Sequence, residues 1–303
     1  MSCRTRPIFV FLAAVLLLAP ILRAADEDYS AKYQTLRDKK AADAEVEALL
    51  TEWRAKKSDD PEAWVASANY YFNKRQLNIS RKKPEAGDIP LKKEDTGEEG
   101  SVSLPLDPEN AKKAADLLEE ATKKFSDRLD IWCGLAFIYQ ESGNFDSQMG
   151  TLQKMVVYAK AHPANLLWMG DKISDPPDKF IPEKLHGYAI YYEKKETEDD
   201  DKRFLKVAQF SAEQYPNHPY ALNDVALYYS VEGDNEKTRE WLEKAHKVDP
   251  KDALVLVNLG RVSSDMGDDA NAKKYYEEAV KAEPNGENAQ EAKDALAELK
   301  KAK

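Results

Sequence analysis

Cysteine is nearly absent: the 303-residue chain holds two, Cys3 and Cys133. Cys3 falls in an N-terminal segment that reads as removable, which leaves Cys133 alone and rules out an internal disulfide. A chain of this length buries a sizeable core without such a staple. A single thiol in an oxidising compartment is either a point of intermolecular pairing or a buried packing residue, the commoner role of a free cysteine.

Positive charge is also in short supply. Lys and Arg number 45 against 55 Asp and Glu, a net charge of −10, and the charges are interspersed with no basic block. Affinity for nucleic acid rests on neutralising phosphates with Lys and Arg, so nucleic acid is not an expected partner.

The long apolar run of the sequence, Ile8 to Leu22, falls short of the roughly 20 residues that span a bilayer comfortably. Arg4 and Arg6 precede it, and Ala24, Ala25 and the acidic cluster Asp26 to Asp28 follow. Residues 1–24 therefore read as an export signal cleaved after Ala24; a retained membrane anchor is the competing reading. No cysteine lies near the cut, so a lipid-modified anchor is not supported. Residues 1–24 carry Arg4, Arg6 and Arg23 and no acidic residue, so their removal takes the net charge from −10 to −13. The expected mature chain, 25–303, has no membrane span and is exported to the bacterial periplasm, the cell envelope or the exterior.

Signs of catalysis are missing as well. His162, His186, His218 and His246 show no metal-ligand spacing with Cys, Asp or Glu. The acidic run Glu198 to Asp201 lacks the spacing and central glycine of a calcium loop. There is no phosphate loop or nucleophile elbow. No catalytic, cofactor-binding or metal-binding residue is expected. Asn78-Ile79-Ser80 fits the acceptor pattern for N-linked sugar.

What is present is a repeat. From Ala253, the residues Leu256, Leu259, Gly260 and Ser263 are followed by Gly267, then Ala272, Tyr276 and Ala279, and Pro284 closes. Upstream, Leu222, Val225, Ala226 and Tyr229 precede Gly233, Thr238, Leu242 and Ala245, and Pro250 closes 34 residues before Pro284. Apolar residues at intervals of three and four make one face of each helix. The small residues sit where two helices approach closely, the glycines permit a left-handed turn, and the prolines end the second helix.

A looser copy holds Trp132, Leu135, Ala136, Tyr139 and Gly143, with a second helix near Leu152 and Met155 that runs on to Pro163. A degenerate one follows at Tyr188, Tyr191, Tyr192, Ala208, Ser211 and Pro216. Before it, Pro176, Pro177 and Pro182 argue against regular helix from Ile173 to Pro182. The N-terminal copy is interrupted: Trp64, Ala68 and Tyr71 are separated from Ala114, Leu118 and Ala121 by an insertion at 74–108, far beyond the usual connection of about 2–8 residues. Its limbs, Leu77 and Ile79 against Val102, Leu104 and Leu106, suit a short ribbon. Its charged middle, Lys92 to Gly100, reads as mobile.

The repeat resembles the tetratricopeptide family, whose period and slots it shares. The resemblance implies an all-α fold: a tetratricopeptide-type α-solenoid of antiparallel helix pairs, wound right-handed, with a C-terminal cap helix. The pairs are expected near 28–58, 61–125 with the insertion 74–108, 129–163, 185–216, 219–250 and 253–284, and the cap helix at 287–302. Proteins of this family hold extended peptides or helices of partners against a concave wall lined by first helices. Helical phase then assigns to the groove Val65, Asn69 and Phe72; Cys133, Phe137 and Gln140; Ala189 and Glu193; Tyr220, Asn223 and Leu227; Val257, Asn258 and Arg261.

Chaperone-binding relatives clamp a partner's terminal carboxylate with Lys, Arg and Asn from neighbouring first helices. Asn69, Asn223 and Asn258 echo the asparagines, but the lysines are absent and Arg261 alone is no clamp. The expected function is a non-catalytic scaffold or adaptor for a protein or peptide partner. A secretion or envelope-assembly chaperone and a non-catalytic subunit of an envelope enzyme remain as alternatives.

Overall fold

The computed structural model describes residues 28–74, 78–80, 89–92, 99–103, 106–195 and 197–301. The expected export segment, 1–24, lies outside them. Among the described residues no helix is long and apolar enough to cross a membrane. The chain divides into two units, 1–67 and 68–303, with the boundary inside one helix.

In the first unit α1 (Tyr29–Asp38) packs on α2 (Asp43–Lys56), and α3 (Pro61–Phe72) begins. Asp28 starts α1 by accepting from the Ala31 N–H at 3.0 Å, which satisfies a backbone donor that the helix leaves free. The Tyr29 and Trp53 rings stack 6.0 Å apart over a core that includes Val46 and Leu50. The Trp53 indole N–H donates to Asp60 at 2.9 Å, tying the end of α2 to the residue before Pro61.

In the second unit α4 (Pro108–Lys124) leads into four helix pairs: α5 (Leu129–Glu141) with α6 (Phe145–Ala161), α7 (Pro177–Glu193) with α8 (Glu198–Gln214), α9 (Pro219–Val231) with α10 (Asn235–Val248), and α11 (Ala253–Asp265) with α12 (Asp269–Ala282). The helix α13 (Glu287–Lys301) closes the series on α12 and α11. Counting helices alone, the main packing partners of each helix here stand one or two places along the chain. Three of the pairs turn in the same way. Gly143, Gly233 and Gly267 take φ of 70°, 77° and 76°, a region closed to most side chains. The next residue, Asn144, Asp234 or Asp268, accepts from the N–H three residues on at 3.2, 3.0 and 3.1 Å. A left-handed glycine followed by an N-cap thus stops one helix and starts its partner within four residues.

The small residues do what their spacing predicts. Ala226, Ala245, Ala272 and Ala279 are 1% exposed or less, and Leu242 lies among the first two. At Gly260 the ring of Tyr276 occupies the space where a Cβ would stand.

The insertion holds a three-stranded antiparallel sheet of β1 (Asn78–Ser80), β2 (Ile89–Lys92) and β3 (Glu99–Ser103), in the order β1-β3-β2. Ile79 stands opposite Val102, in the ribbon that the alternating residues predict. Leu77, Leu104 and Pro105 lie outside the described residues. Of the middle expected to be mobile, Lys92, Glu99 and Gly100 stand in paired strands, Lys92 opposite Glu99 and Leu91 opposite Gly100, and 93–98 lie outside the described residues. Pro90, which has no N–H to donate, sits on an edge strand.

A second correction concerns the prolines before α7. The helix starts at Pro177, not near 185, and runs through Pro182. Pro177 opens the first turn, where N–H groups lack helical partners anyway. Pro182 lies one turn further in and gives up one backbone bond, against which its burial in the core counts. Between α6 and α7 the sequence gives no hint of a hairpin, yet β4 (Leu167–Trp168) pairs with β5 (Asp171–Lys172). Met169 and Gly170 both take positive φ, 53° and 88°, as a primed two-residue turn requires. The preceding Leu166 is fully buried, and Trp168 meets the Phe180 ring at 5.2 Å.

Candidate functional site

The first helices of successive pairs, α3, α5, α7, α9 and α11, carry the residues assigned to the groove. At one end Phe72 and Phe137 bring their rings to 5.6 Å, and Phe137 is 41% exposed. Asn69 is half-buried, and its backbone carbonyl accepts from the Asn73 amide at 2.7 Å. Val65 is buried and offers no surface.

Two residues of α5 turn inward. Cys133 is buried, its sulfur 3.8 Å from that of Met155, and its backbone carbonyl accepts from the Tyr188 hydroxyl at 2.7 Å. Burial pushes its thiol up to about 12, so of the two roles open to this cysteine the structure supports the inert one. Gln140 is also buried. It accepts from Gln148 at 2.9 Å, and Gln148 accepts from the Tyr192 hydroxyl at 2.5 Å. That chain of amides joins α5, α6 and α7 from inside.

On α7 the phase differs from the sequence reading. Leu185, Ala189 and Tyr192 fill the core with the four-then-three spacing of Leu222, Ala226 and Tyr229 on α9. Ala189, expected on the groove, is fully buried. Tyr188 and Tyr191 misled the reading, because both are only partly buried at the rim of the core. The turn after α7 has no glycine to mark the register. Glu193 is half-buried at the end of α7.

The corrected phase brings forward a residue the sequence did not single out for the groove. His186 on α7 meets Asp224 on α9, Nδ1 to Oδ1, at 2.7 Å. Asp224 is fully buried, and its second carboxylate oxygen has no hydrogen-bond partner. Burial raises the Asp224 pKa although His186 pulls it down. Burial also works against charge on His186, but the hydrogen bond and charge of Asp224 prevail and raise its pKa. The Tyr220 ring, 36% exposed, lies 5.8 Å from His186.

Further along, α9 and α11 are joined by side-chain amides. Asn258 donates to Asn223 at 2.8 Å, Arg261 donates to Asn258 at 3.1 Å, and Arg261 pairs with Glu291 of α13. Asn223 is buried under this bond, Leu227 is half-buried, and Arg261 is exposed. Val257, expected on the groove, is fully buried with Leu256, Ala272, Tyr276 and Ala292 of the closing helix. The sequence marks 287–302 as a cap helix but does not show that it covers this position.

Among these residues, ring contacts link α3 with α5, the His186 contacts link α7 with α9, and side-chain amides link α9 with α11. Among the described residues no group of three or more His, Cys, Asp or Glu could hold a metal ion.

Comparison with known proteins gives the same repeat. Residues 253–285 match the family model described as tetratricopeptide repeat. The heat-shock protein cognate co-chaperone sgt12 of Aspergillus fumigatus is 41% identical over 71 residues, 23% of this chain and 21% of that protein. The chain thus spans about a fifth of this relative. The Sgt2 TPR domain from the same fungus is 27% identical, with 40% of this chain and 78% of that one covered and a TM-score of 0.36. YrrB, described as a TPR protein with an unusual peptide-binding site, is 12% identical, with 81% and 97% covered and a TM-score of 0.40.

Proposed function

We propose that this chain, which carries a tetratricopeptide repeat at 253–285, is a non-catalytic scaffold that binds a polypeptide partner along its first helices. The observation that carries this reading is the row of side chains from Phe72 and Phe137 through His186 and Tyr220 to Asn258 and Arg261. Contacts between helices link α3 with α5, α7 with α9 and α9 with α11, which restrains these side chains before a partner arrives. Pre-ordering lowers the entropy lost on binding. The exposed aromatics supply apolar contact area, and the amides supply donors and acceptors for a peptide backbone.

A chaperone for unfolded clients would want a broad apolar strip. Among the described residues of these helices the exposed large apolar side chains are few, Phe137 on α5 and Tyr220 and Val231 on α9, which favours one defined partner. The start of the chain supports export: positive residues, a short apolar run and small residues at Ala24 and Ala25. The scaffold then works in the periplasm, the envelope or outside the cell.

Affinity capture from intact envelopes tests the reading. One stoichiometric partner should be retained by the wild type and lost by the double variant Phe137→Ala, Tyr220→Ala, with an unchanged circular dichroism spectrum. Turnover by the isolated protein, or capture indifferent to both substitutions, would refute it. N-terminal sequencing of the exported chain should begin at Ala25.

A further inference from the structure

The core residues of successive first helices fall in register: Ala189 on α7, Ala226 on α9 and Gly260 on α11 fill the same slot. Three residues before this slot stand His186 on α7 and Asn223 on α9. Two residues before it stand Asp224 on α9 and Asn258 on α11. The structure brings these positions together in the same way at both joints. His186 meets Asp224 at 2.7 Å, and Asn258 meets Asn223 at 2.8 Å. One bridge thus recurs between consecutive first helices, ionisable between α7 and α9 and made of neutral amides between α9 and α11.

The amide bridge is indifferent to protons, because Asn does not titrate. The ionisable one is not. Asp224 is fully buried and its Oδ2 has no hydrogen-bond partner, so His186 is its closest compensation. With His186 protonated, Nδ1–H donates to Oδ1 and the bridge is an ion pair. The proton that comes and goes is the one on Nε2, which has no partner among the described residues and is not buried. When it leaves to solvent, the Nδ1–H bond can persist, but Asp224 becomes a buried charge with a neutral partner and one bare oxygen. A buried charge deprived of its counter-charge is strongly destabilising. Water reaches that oxygen only if α7 and α9 part.

The surroundings leave this response in place. Glu183 and Lys194 act on His186 from its own helix, His218 just ahead of α9 acts on Asp224, and Asp252 ahead of α11 acts on His218. The α6, α8 and α10 helices supply none of these groups. The Tyr220 ring, 5.8 Å from His186, stays a neutral phenol, since burial raises its pKa. His218 also titrates, but burial lowers its pKa, which puts its change below about pH 6.5. We propose that the His186–Asp224 bridge is a pH-sensitive latch between neighbouring first helices, closed while His186 carries its second proton and loosened when that proton leaves. The latch stands on this contact; only its use, to set the face on which a partner lies, rests on the scaffold reading.

Backbone hydrogen exchange of the purified chain tests it, read as protection factors at about pH 6.5 and 8.5 so that the intrinsic pH dependence of exchange drops out. The His186 contribution is present in full below about 6.5 and is lost as pH rises through the raised folded value. Protection of the α7 amides should therefore fall by about tenfold, the scale of one charge-assisted hydrogen bond. That of the α11 amides, whose bridge is neutral, should stay level. Asp224→Asn gives the α7–α9 joint an amide in place of the carboxylate and should abolish the fall. His186→Gln leaves the carboxylate without its cation and should keep α7 loosened at both pH values. A level α7 in the wild type, an equal fall in α7 and α11, or a His186→Gln chain as protected as the wild type at the lower pH would overturn the proposal. Should a variant not fold, the contrast of α7 with α11 in the wild type decides alone. Partner capture separates the latch from the scaffold reading. A chain that captures nothing yet shows the fall confined to α7 keeps the latch and loses the scaffold.

Discussion

Gly260 on α11 and Tyr276 on α12 pack so closely that a Cβ on residue 260 would stand 2.5 Å from Tyr276 Cε1. The glycine is there because its missing side chain is the space the tyrosine ring fills. Gly260→Ala should destabilise the chain by about 1–3 kcal/mol, the usual cost of overpacking. Gly150→Ala is the control: Gly150 also lies in a helix, but a Cβ there meets nothing within 4 Å. That substitution should leave stability unchanged or raise it by about 0.5–1 kcal/mol. Urea denaturation of both variants checks the contrast.

The closing helix offers a test between neighbouring residues. Ala292 is fully buried against Val257 and Tyr276, whereas Glu291 is 49% exposed beside Arg261. Ala292→Glu buries a charge with no partner and should cost about 3 kcal/mol or more. Glu291→Ala breaks an exposed ion pair and should stay within about 1 kcal/mol. Comparable losses in thermal melts would show that α13 does not pack as described.

The His186 and Asp224 pair should make stability depend on pH. Both pKa values are raised in the folded state, so both groups bind protons more tightly folded than unfolded. The His186 contribution is present in full below its ordinary pKa of about 6.5 and is lost as pH rises through its folded value. The Asp224 contribution has the same sign: it begins to be lost as pH rises above the ordinary carboxylate pKa of about 3.9. His218, whose pKa burial lowers, works in the opposite sense in the same window, so the pair is read by difference: from pH 6 to pH 8 the wild type should lose more stability, or gain less, than Asp224→Asn. An NMR titration should find His186 titrating above about 6.5 in the wild type and lower in the variant.

Cys133 should be inert. With its thiol pushed up to about 12 by burial, almost none is thiolate at pH 8. An aromatic disulfide reagent should label it at least about a hundredfold more slowly in the native chain than in denaturant, since thiolate and access both set the rate. Rapid labelling of the native protein would place the residue on an open surface.

Much of this architecture is legible in the residues. Gly233, Gly267 and the Asp that follows each announce a turn and a cap together, and the four-then-three spacing of Ala272, Tyr276 and Ala279 announces the core. Legibility fails where local chemistry is ambiguous. The adjacent Tyr191 and Tyr192 leave the phase of α7 open, and with no turn glycine to settle it the reading put Ala189 on the surface and overlooked His186 as a groove residue. Pro182 reads as a breaker because sequence alone does not show the core that holds it in helix. The β4–β5 hairpin turns on Met169-Gly170, and methionine is not a residue that signals a left-handed position. On the candidate face, helical phase places a side chain on the right stripe but says nothing of what covers it. Val257 lies under α13 and Cys133 under Tyr188, each contact coming from a different helix.

The packing of each helix chiefly on helices no more than two places away in the series has a consequence for how the chain is made. Contacts between near neighbours keep relative contact order low, which in small domains goes with fast folding. A chain built from such layers need not be finished before its first layers settle. As synthesis delivers one hairpin, the surface that will receive the next is already formed, and growth can proceed in the order of translation. Tyr276 can close over Gly260 as soon as α12 emerges, without waiting for anything beyond it.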